Sequence, residues 1–243
     1  MTLAFFLRSY FFMNKYFRFI LPAIAVAFLF NAAASDISAQ DVLRKILKRM
    51  DENNKSLTSL KSAIKMEKRD SVLGETDLSE GELNYLPGRS QNQIYVRIDW
   101  SKPVEESLAV ANGKYVLYRP KAKQAIVGKV DGAKNSAKTG GALAFMTMSK
   151  AELSANYKVD YLGDETVSGG VSTFHLKLTP IKATSYKSAD LWVDANGMPV
   201  QAKVVEKNND TTTILLSDVK RNATVKASVF KIEPPKDVKI IQG

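Results

Sequence analysis

The chain has 243 residues, of which 35 are Lys or Arg and 25 are Asp or Glu, and it contains no cysteine and one histidine. Without a thiol, the sequence excludes a disulfide framework, a cysteine-ligated metal site and a cysteine nucleophile. Because His175 is the only histidine, it also excludes a multi-histidine metal site. We therefore expect a globular protein with no metal and no cofactor.

Residues 1–34 are typical of a secretory signal peptide, and we expect 35–243 to be a single exported domain. The first 34 residues contain three basic residues, no acid and an apolar run of 12 residues at 19–30. Small residues then predict cleavage after Ala34 or after Ala39. This signal indicates localisation in the periplasm.

Two alternatives stay open at this end of the chain. An uncleaved membrane anchor is the less favoured one, because a transmembrane helix needs about 20 apolar residues. The true start is either Met1 or Met13, since Met13-Asn14-Lys15 resembles the usual start of a signal peptide.

The first element of the exported part is a predicted amphipathic helix at 41–56. Asp41 is a helix-start signal, and Asn53-Asn54 is a stop signal. The apolar residues recur on one stripe of this helix: Val42, Leu43, Ile46, Leu47 and Met50.

The pattern then changes to the period of two that indicates strands. Strands are predicted at 60–67, 76–86, 94–100, 106–111, 114–119, 124–130, 157–166, 172–179, 186–194, 198–207 and 211–220. A polar loop at 131–141 and a helical patch at 142–156 separate the sixth strand from the seventh. The tail, 229–241, is predicted to be an extended edge strand broken at Pro234-Pro235.

Short turns between neighbouring strands favour one continuous, curved, antiparallel meander over two domains. About ten or eleven strands is more than a small filled barrel needs, and the sequence offers few helices to fill the interior. An apolar cavity under a helical lid is therefore one interpretation, and an ordinary filled core is the other. Two methionines in the patch, Met146 and Met148, suit a surface that repacks around varied apolar ligands.

Several segments also follow one another in a recognisable order. They are Gly81-Glu82-Leu83 with Pro87-Gly88-Arg89, 96–103, 110–120, 174–180, Leu191-Trp192-Val193-Asp194 with Gly197-Met198-Pro199, and 229–235 with Val238. Together they span nearly all of 40–243, and their order resembles the family of periplasmic outer-membrane lipoprotein carriers (LolA-like proteins).

The resemblance implies a mainly β fold: an incomplete, half-open antiparallel β-barrel of about 10–11 strands, with the N-terminal helix and the helical insert as a lid. It also implies a monomeric, non-enzymatic carrier that binds the acyl chains of lipoproteins. Its partners would be those lipoproteins, a releasing transporter in the inner membrane and an acceptor at the outer membrane. The alternative is a regulatory or sensor module with the same fold that binds a partner protein or lipid.

The residues expected to line the cavity and lid are all apolar. They are Leu43, Leu47, Ile64, Ile94, Val96, Ile98, Trp100, Leu143, Phe145, Met146, Met148, Phe174 and Leu176. The family has a basic residue that ties its lid shut, and Arg89 or Arg97 is the candidate here. A few residues at 90–93 look inserted relative to the family, which leaves this choice open.

Other functions find little support in the sequence. Ser172 has no G-x-S-x-G context, the acidic pairs are adjacent in sequence, and no phosphate-binding glycine motif occurs. We expect His175 to be a solvated surface residue without an acidic partner. The basic residues are scattered, which indicates a solvated surface or steering towards anionic membranes and makes nucleic acid an improbable partner.

Overall fold

A computed structural model describes residues 38–87, 94–129, 144–146 and 148–243. The expected signal peptide, the polar loop at 131–141, the apparent insertion at 90–93 and two candidate site residues, Arg89 and Leu143, lie outside the described residues.

Two α-helices, a short 3₁₀ helix and twelve strands have defined bounds within the described residues. In chain order they are α1 (Ala39–Ser56), β1 (Leu60–Arg69), β2 (Thr76–Pro87), β3 (Ile94–Lys102), β4 (Glu106–Ala111), β5 (Lys114–Arg119), β6 (Gln124–Lys129), α2 (Lys150–Asn156), β7 (Tyr157–Val167), β8 (Val171–Pro180), β9 (Tyr186–Asp194), β10 (Pro199–Glu206), β11 (Thr211–Arg221), the 3₁₀ helix (Ala227–Phe230) and β12 (Lys239–Gln242). Residues 144–146 are also helical.

All twelve strands belong to one sheet, in the order β12-β6-β5-β4-β3-β2-β1-β11-β10-β9-β8-β7. The predicted hairpins are present, but the sheet consists of two meanders rather than one. The chain starts in the middle at β1, runs outward to β6, which lies beside the edge strand β12, restarts at the opposite edge at β7 and returns to β11. The two meanders join where β1 pairs with β11, with Ile64 opposite Leu216 and Met66 opposite Ile214.

One face of this sheet carries the hydrophobic core. The core contains apolar residues of strands as far apart as β3 and β8, together with residues of α1 such as Ile46 and Met50. Six strand spacings of about 4.8 Å separate β3 from β8 in the sheet, whereas a helix is about 10 Å wide. The sheet must therefore curve around the helices. Its end strands β12 and β7 lie at opposite edges, so the barrel is incomplete and the predicted fold class is confirmed.

The tail differs in part from the prediction. Only its last residues form a strand, β12, which pairs in parallel with β6. The residues before it form the 3₁₀ helix, whose Phe230 is buried and lies against Tyr95 on the other face of the sheet, with ring centroids 5.8 Å apart. Pro234 and Pro235 follow, and because proline has no N–H to donate to a ladder, the strand begins only after them.

Helix α1 packs directly on the turn between β9 and β10. Gly197 in this turn has a φ of 82°, and a Cβ added there would overlap the backbone of Arg49 and Met50. Asn222 fixes the end of the same helix, because its side-chain oxygen accepts a hydrogen bond from the Thr58 backbone at 2.8 Å. The helix is therefore held within its length at Arg49 and Met50 and again at its C-terminal end. No helix in the described part of the chain is long and apolar enough to span a membrane.

We predict that Gly197→Ala loosens α1. The variant adds backbone strain at positive φ, about 1 kcal/mol, and an overlap with the helix that costs about 1–3 kcal/mol more. Gly170→Ala is the matched control, because Gly170 has a φ of 80° and open space around the added Cβ. Urea unfolding should show the larger loss for Gly197→Ala. Equal losses would contradict a close contact between helix and turn.

Candidate functional site

A short segment between β6 and α2 inserts apolar side chains into the core. We term residues 144–146 and Met148 the plug segment. Phe145 is 3% exposed and Met146 is 4% exposed, and both belong to the same core as the strand residues. Met148 is half-buried against that core. The plug segment therefore occupies apolar volume on the curved face that the sheet would otherwise offer to another apolar molecule.

The plug segment ends where α2 begins, at a capping box. The Ser149 hydroxyl accepts a hydrogen bond from the Glu152 backbone N–H at 3.2 Å, and the Glu152 carboxylate accepts one from the Ser149 backbone at 2.8 Å. A capping box fixes the start of a helix. The predicted single helical patch at 142–156 is thus broken at Ser149.

Phe145 lies in an aromatic cluster at one rim of the sheet. Its ring meets Tyr157 and Tyr186 edge to face, each with ring centroids 5.7 Å apart. The hydroxyl groups of the two tyrosines are 2.5 Å apart and share a hydrogen bond. Burial, and next this hydrogen bond, raise the pKa of Tyr186 well above the ordinary value for tyrosine. The Tyr186 phenol is therefore uncharged at neutral pH, and its ring packs against the plug.

Helix α1 holds the plug segment through Asn54, whose side-chain nitrogen donates to the Met148 carbonyl oxygen at 3.1 Å. The same helix places the Arg49 guanidinium 5.9 Å from the centre of the Phe174 ring. The sequence pattern did not identify Asn54 as a tether, because Asn53-Asn54 was interpreted as a helix stop. The helix ends at Ser56, as predicted, and Asn54 lies in its last turn.

Most of the predicted cavity and lid residues meet in one core. Those that are buried are Leu47, Ile64, Val96, Ile98, Trp100, Phe145, Met146 and Leu176. Those that are partly buried against the same core are Leu43, Met148 and Phe174. Ile94 is 40% exposed, because it begins β3 beyond the reach of β4, whose pairing with β3 starts at Val96.

Arg97 does not lie where it could tie the plug segment to the sheet. It lies on the face of β3 opposite to Val96 and Ile98, where its guanidinium is 2.7 Å from the Asp99 carboxylate. It also donates a hydrogen bond to the Ser107 hydroxyl at 3.2 Å. These contacts direct the charge away from the plug segment.

The expectation for His175 is wrong. It lies on the outer face as predicted, but its side chain is only 18% exposed and sits between two carboxylates. Its Nδ1 is 2.9 Å from Glu165 and its Nε2 is 3.1 Å from Asp190. Its ring also stacks on Trp192 at 4.3 Å. Strands β7 and β9 supply these partners from distant positions in the sequence. In the described residues no cluster of three or more acidic, histidine or cysteine side chains could hold a metal ion.

Two surface pockets lie at the rims of the sheet. One of about 520 Å³ lies beside β5, β6 and β12, where Lys114, Tyr115 and Lys129 line it. The other, of about 290 Å³, lies where β8 ends and β9 begins, and Tyr186 forms part of its wall. The second pocket is therefore next to the aromatic cluster that contains Phe145.

Comparisons with known proteins place the fold in a known family. A family model described as "Outer membrane lipoprotein carrier protein LolA" matches residues 94–233. An "Outer-membrane lipoprotein carrier protein" of Pseudomonas fluorescens (strain Pf0-1) is 29% identical over 225 residues, which cover 93% of this chain and 98% of the relative.

Solved structures show the same fold at low identity. An uncharacterized conserved protein from Thermus thermophilus has a TM-score of 0.52 at 12% identity, covering 83% of this chain and 99% of that protein. The structure of MucB has a TM-score of 0.51 at 13% identity, covering 82% of this chain and 64% of that protein.

We predict that Arg97→Gln lowers stability in a pH-dependent way. Partial burial alone would raise the pKa of Asp99, but hydrogen bonds from Arg97 and Ser107 and the nearby positive charge lower it overall. The ion pair therefore stabilises the fold above the ordinary aspartate pKa of 3.8, and this stability is lost as the pH falls through the lower folded value. Because the pair is partly exposed, we expect a loss below about 1 kcal/mol at neutral pH.

Urea unfolding of both proteins from neutral pH down to about pH 3 checks this, and the difference should shrink with acidification. Ser107→Ala keeps the ion pair and should lose less. A difference that grows in acid would contradict the assignment.

Proposed function

The chain belongs to the outer membrane lipoprotein carrier family, and from this premise we propose that it binds the acyl chains of lipoproteins non-covalently on its curved apolar face. The family model covers more than half of the sequence. The observation that carries the proposal is the burial of Phe145 and Met146 in the core. A short, separately tied segment there can leave and make room for an acyl chain.

The free energies of burial favour the exchange of the plug segment for an acyl chain. Burying one phenylalanine or methionine side chain is worth about 1.5–3 kcal/mol, and each buried CH₂ is worth about 0.8 kcal/mol. An acyl chain of about 15 methylenes therefore offers roughly 12 kcal/mol, which exceeds the burial of the two plug side chains. The plug in turn keeps the apolar face covered when no cargo is bound, which protects the protein from aggregation.

The polar ties of the plug segment include a hydrogen bond between uncharged groups and a capping box that contains a carboxylate. In the described part of the chain they include the Asn54 bond to Met148 and the capping box at Ser149. A neutral hydrogen bond contributes only about 0.5–1.5 kcal/mol net. Breaking the Asn54 bond therefore costs less than uncovering the apolar side chains, which supports reversible loading and release.

The rest of the role follows from the proposed cargo. A signal peptide at residues 1–34 would export the protein to the periplasm. There it would act as a monomeric chaperone between a releasing transporter in the inner membrane and an acceptor at the outer membrane. Without the three basic residues of 1–34, the formal net charge of +10 falls to +7, which supports steering towards anionic membrane surfaces.

A binding assay with a neutral apolar probe tests the function. N-phenyl-1-naphthylamine should fluoresce on binding, and a neutral diacylglyceryl-cysteine lipopeptide should displace it, whereas the same peptide without acyl chains should not. If the probe does not bind, or if both peptides displace it equally, the proposed function is wrong. A partner protein captured in place of acyl cargo would support a sensor role.

We predict that Phe145→Ala strengthens probe binding. The ligand no longer has to expel a buried ring, so Kd should fall roughly tenfold or more, since burial of the ring is worth about 1.5–3 kcal/mol. The same change should lower the free energy of unfolding by about 3–5 kcal/mol.

Phe230→Ala is the matched control, because Phe230 is equally buried but lies against Tyr95 on the outer face. It should lose stability without any change in Kd. Weaker binding by Phe145→Ala than by Phe230→Ala would contradict the plug.

A further inference from the structure

The 290 Å³ pocket at the end of β8 is lined by three lysines. Lys182 lies in the loop after β8, Lys187 lies at the start of β9, and Lys207 follows the end of β10. The loop after β8 is fixed to α2, because the Ile181 backbone N–H donates to the Asn156 carbonyl oxygen at 2.9 Å. Two separate parts of the chain therefore bring three positive charges to one concave site.

The described lining of this pocket carries positive charge and no negative charge. Among the described residues that line it, none is acidic, and the Lys187 ammonium bonds the neutral side-chain oxygen of Asn209. Three ammonium groups around one cavity create a positive potential. An anionic group in the pocket would relieve their mutual repulsion, and lysine is a common ligand of phosphate groups.

The pocket shares a wall with the plug site. Tyr186 lines the pocket, and the ring of the same tyrosine packs against Phe145. Ile181, 62% exposed, adds an apolar lip beside the lysines. If the hydrocarbon chain of a bound molecule takes the place of the Phe145 ring, the head group of that molecule would lie next to the three lysines.

We propose that the pocket binds the anionic head group, a phosphate or carboxylate, of an acylated ligand whose chain replaces the plug segment. This inference rests on the proposed function and extends it. A neutral lipopeptide would use the apolar face alone, whereas an acyl phosphate ester or a fatty acid would use both parts. The ligands of this chain therefore include anionic amphiphiles.

Two single-chain probes of equal chain length test the proposal. Dodecyl phosphate is anionic and dodecyl maltoside is neutral, and both are used below the concentration at which they form micelles. Displacement of N-phenyl-1-naphthylamine from the full exported protein should show about tenfold tighter binding of dodecyl phosphate. Added sodium chloride should reduce only this preference, because salt screens exposed charges.

The triple variant Lys182→Gln, Lys187→Gln, Lys207→Gln should lose the preference and keep its affinity for dodecyl maltoside. The control triple variant Lys45→Gln, Lys68→Gln, Lys220→Gln removes the same charge from exposed positions elsewhere, and it should keep the preference. Inorganic phosphate alone should compete only weakly, since it has no chain.

Each other outcome overturns a defined part of the account. Equal binding of the two probes, or a preference that survives in the pocket variant, overturns the anionic site and leaves the carrier function intact. Complete displacement of dodecyl phosphate by dilute inorganic phosphate indicates a site for free anions and overturns the link to acyl cargo. Failure of both probes to bind overturns the carrier function together with this inference.

Discussion

The structure depends on one packing interaction, the burial of Phe145 and Met146 against the curved face of the sheet. A sheet that curves this far presents more apolar area than α1 alone covers, and exposed apolar area of that size is unfavourable in water. The plug segment covers it with side chains, and the segment itself is tied by the Asn54 bond to Met148 and by the capping box at Ser149. The same area can therefore be covered by the protein itself or by an apolar ligand, and a carrier needs these two states to be close in free energy.

The two sides of the site have different roles. Helix α1 is fixed by the close contact at Gly197 and by Asn222, so it forms the constant side of the site. The plug segment and the aromatic cluster form the exchangeable side, and the lysine pocket lies directly behind Tyr186. In the proposed function, apolar area would supply the affinity, whereas the lysines would distinguish anionic from neutral cargo. None of this requires a titratable group in the apolar site.

Much of the fold could be predicted from the sequence, because period-two alternation and Asn-Gly turns are local signals. The pairing of β1 with β11 could not, since it joins residues about 150 positions apart. Tyr186 could not be predicted as a residue of the apolar site, because strict alternation from Leu191 would place its side chain on the outer face. A register shift near Glu206 brings it to the core instead. The acidic partners of His175 also come from neighbouring strands. Strand register places them beside the ring, and their proximity in the sequence does not.

Hydrogen exchange at the backbone amides of Phe145 and Met146, with and without a diacylated lipopeptide, tests the central claim most directly. If the cargo replaces the plug, these amides should exchange faster in the complex, while those of Leu191 and Val193 in the core of β9 stay protected. Slower or unchanged exchange at Phe145 and Met146, under conditions where the lipopeptide is bound, would show that the plug stays in place and would contradict the account.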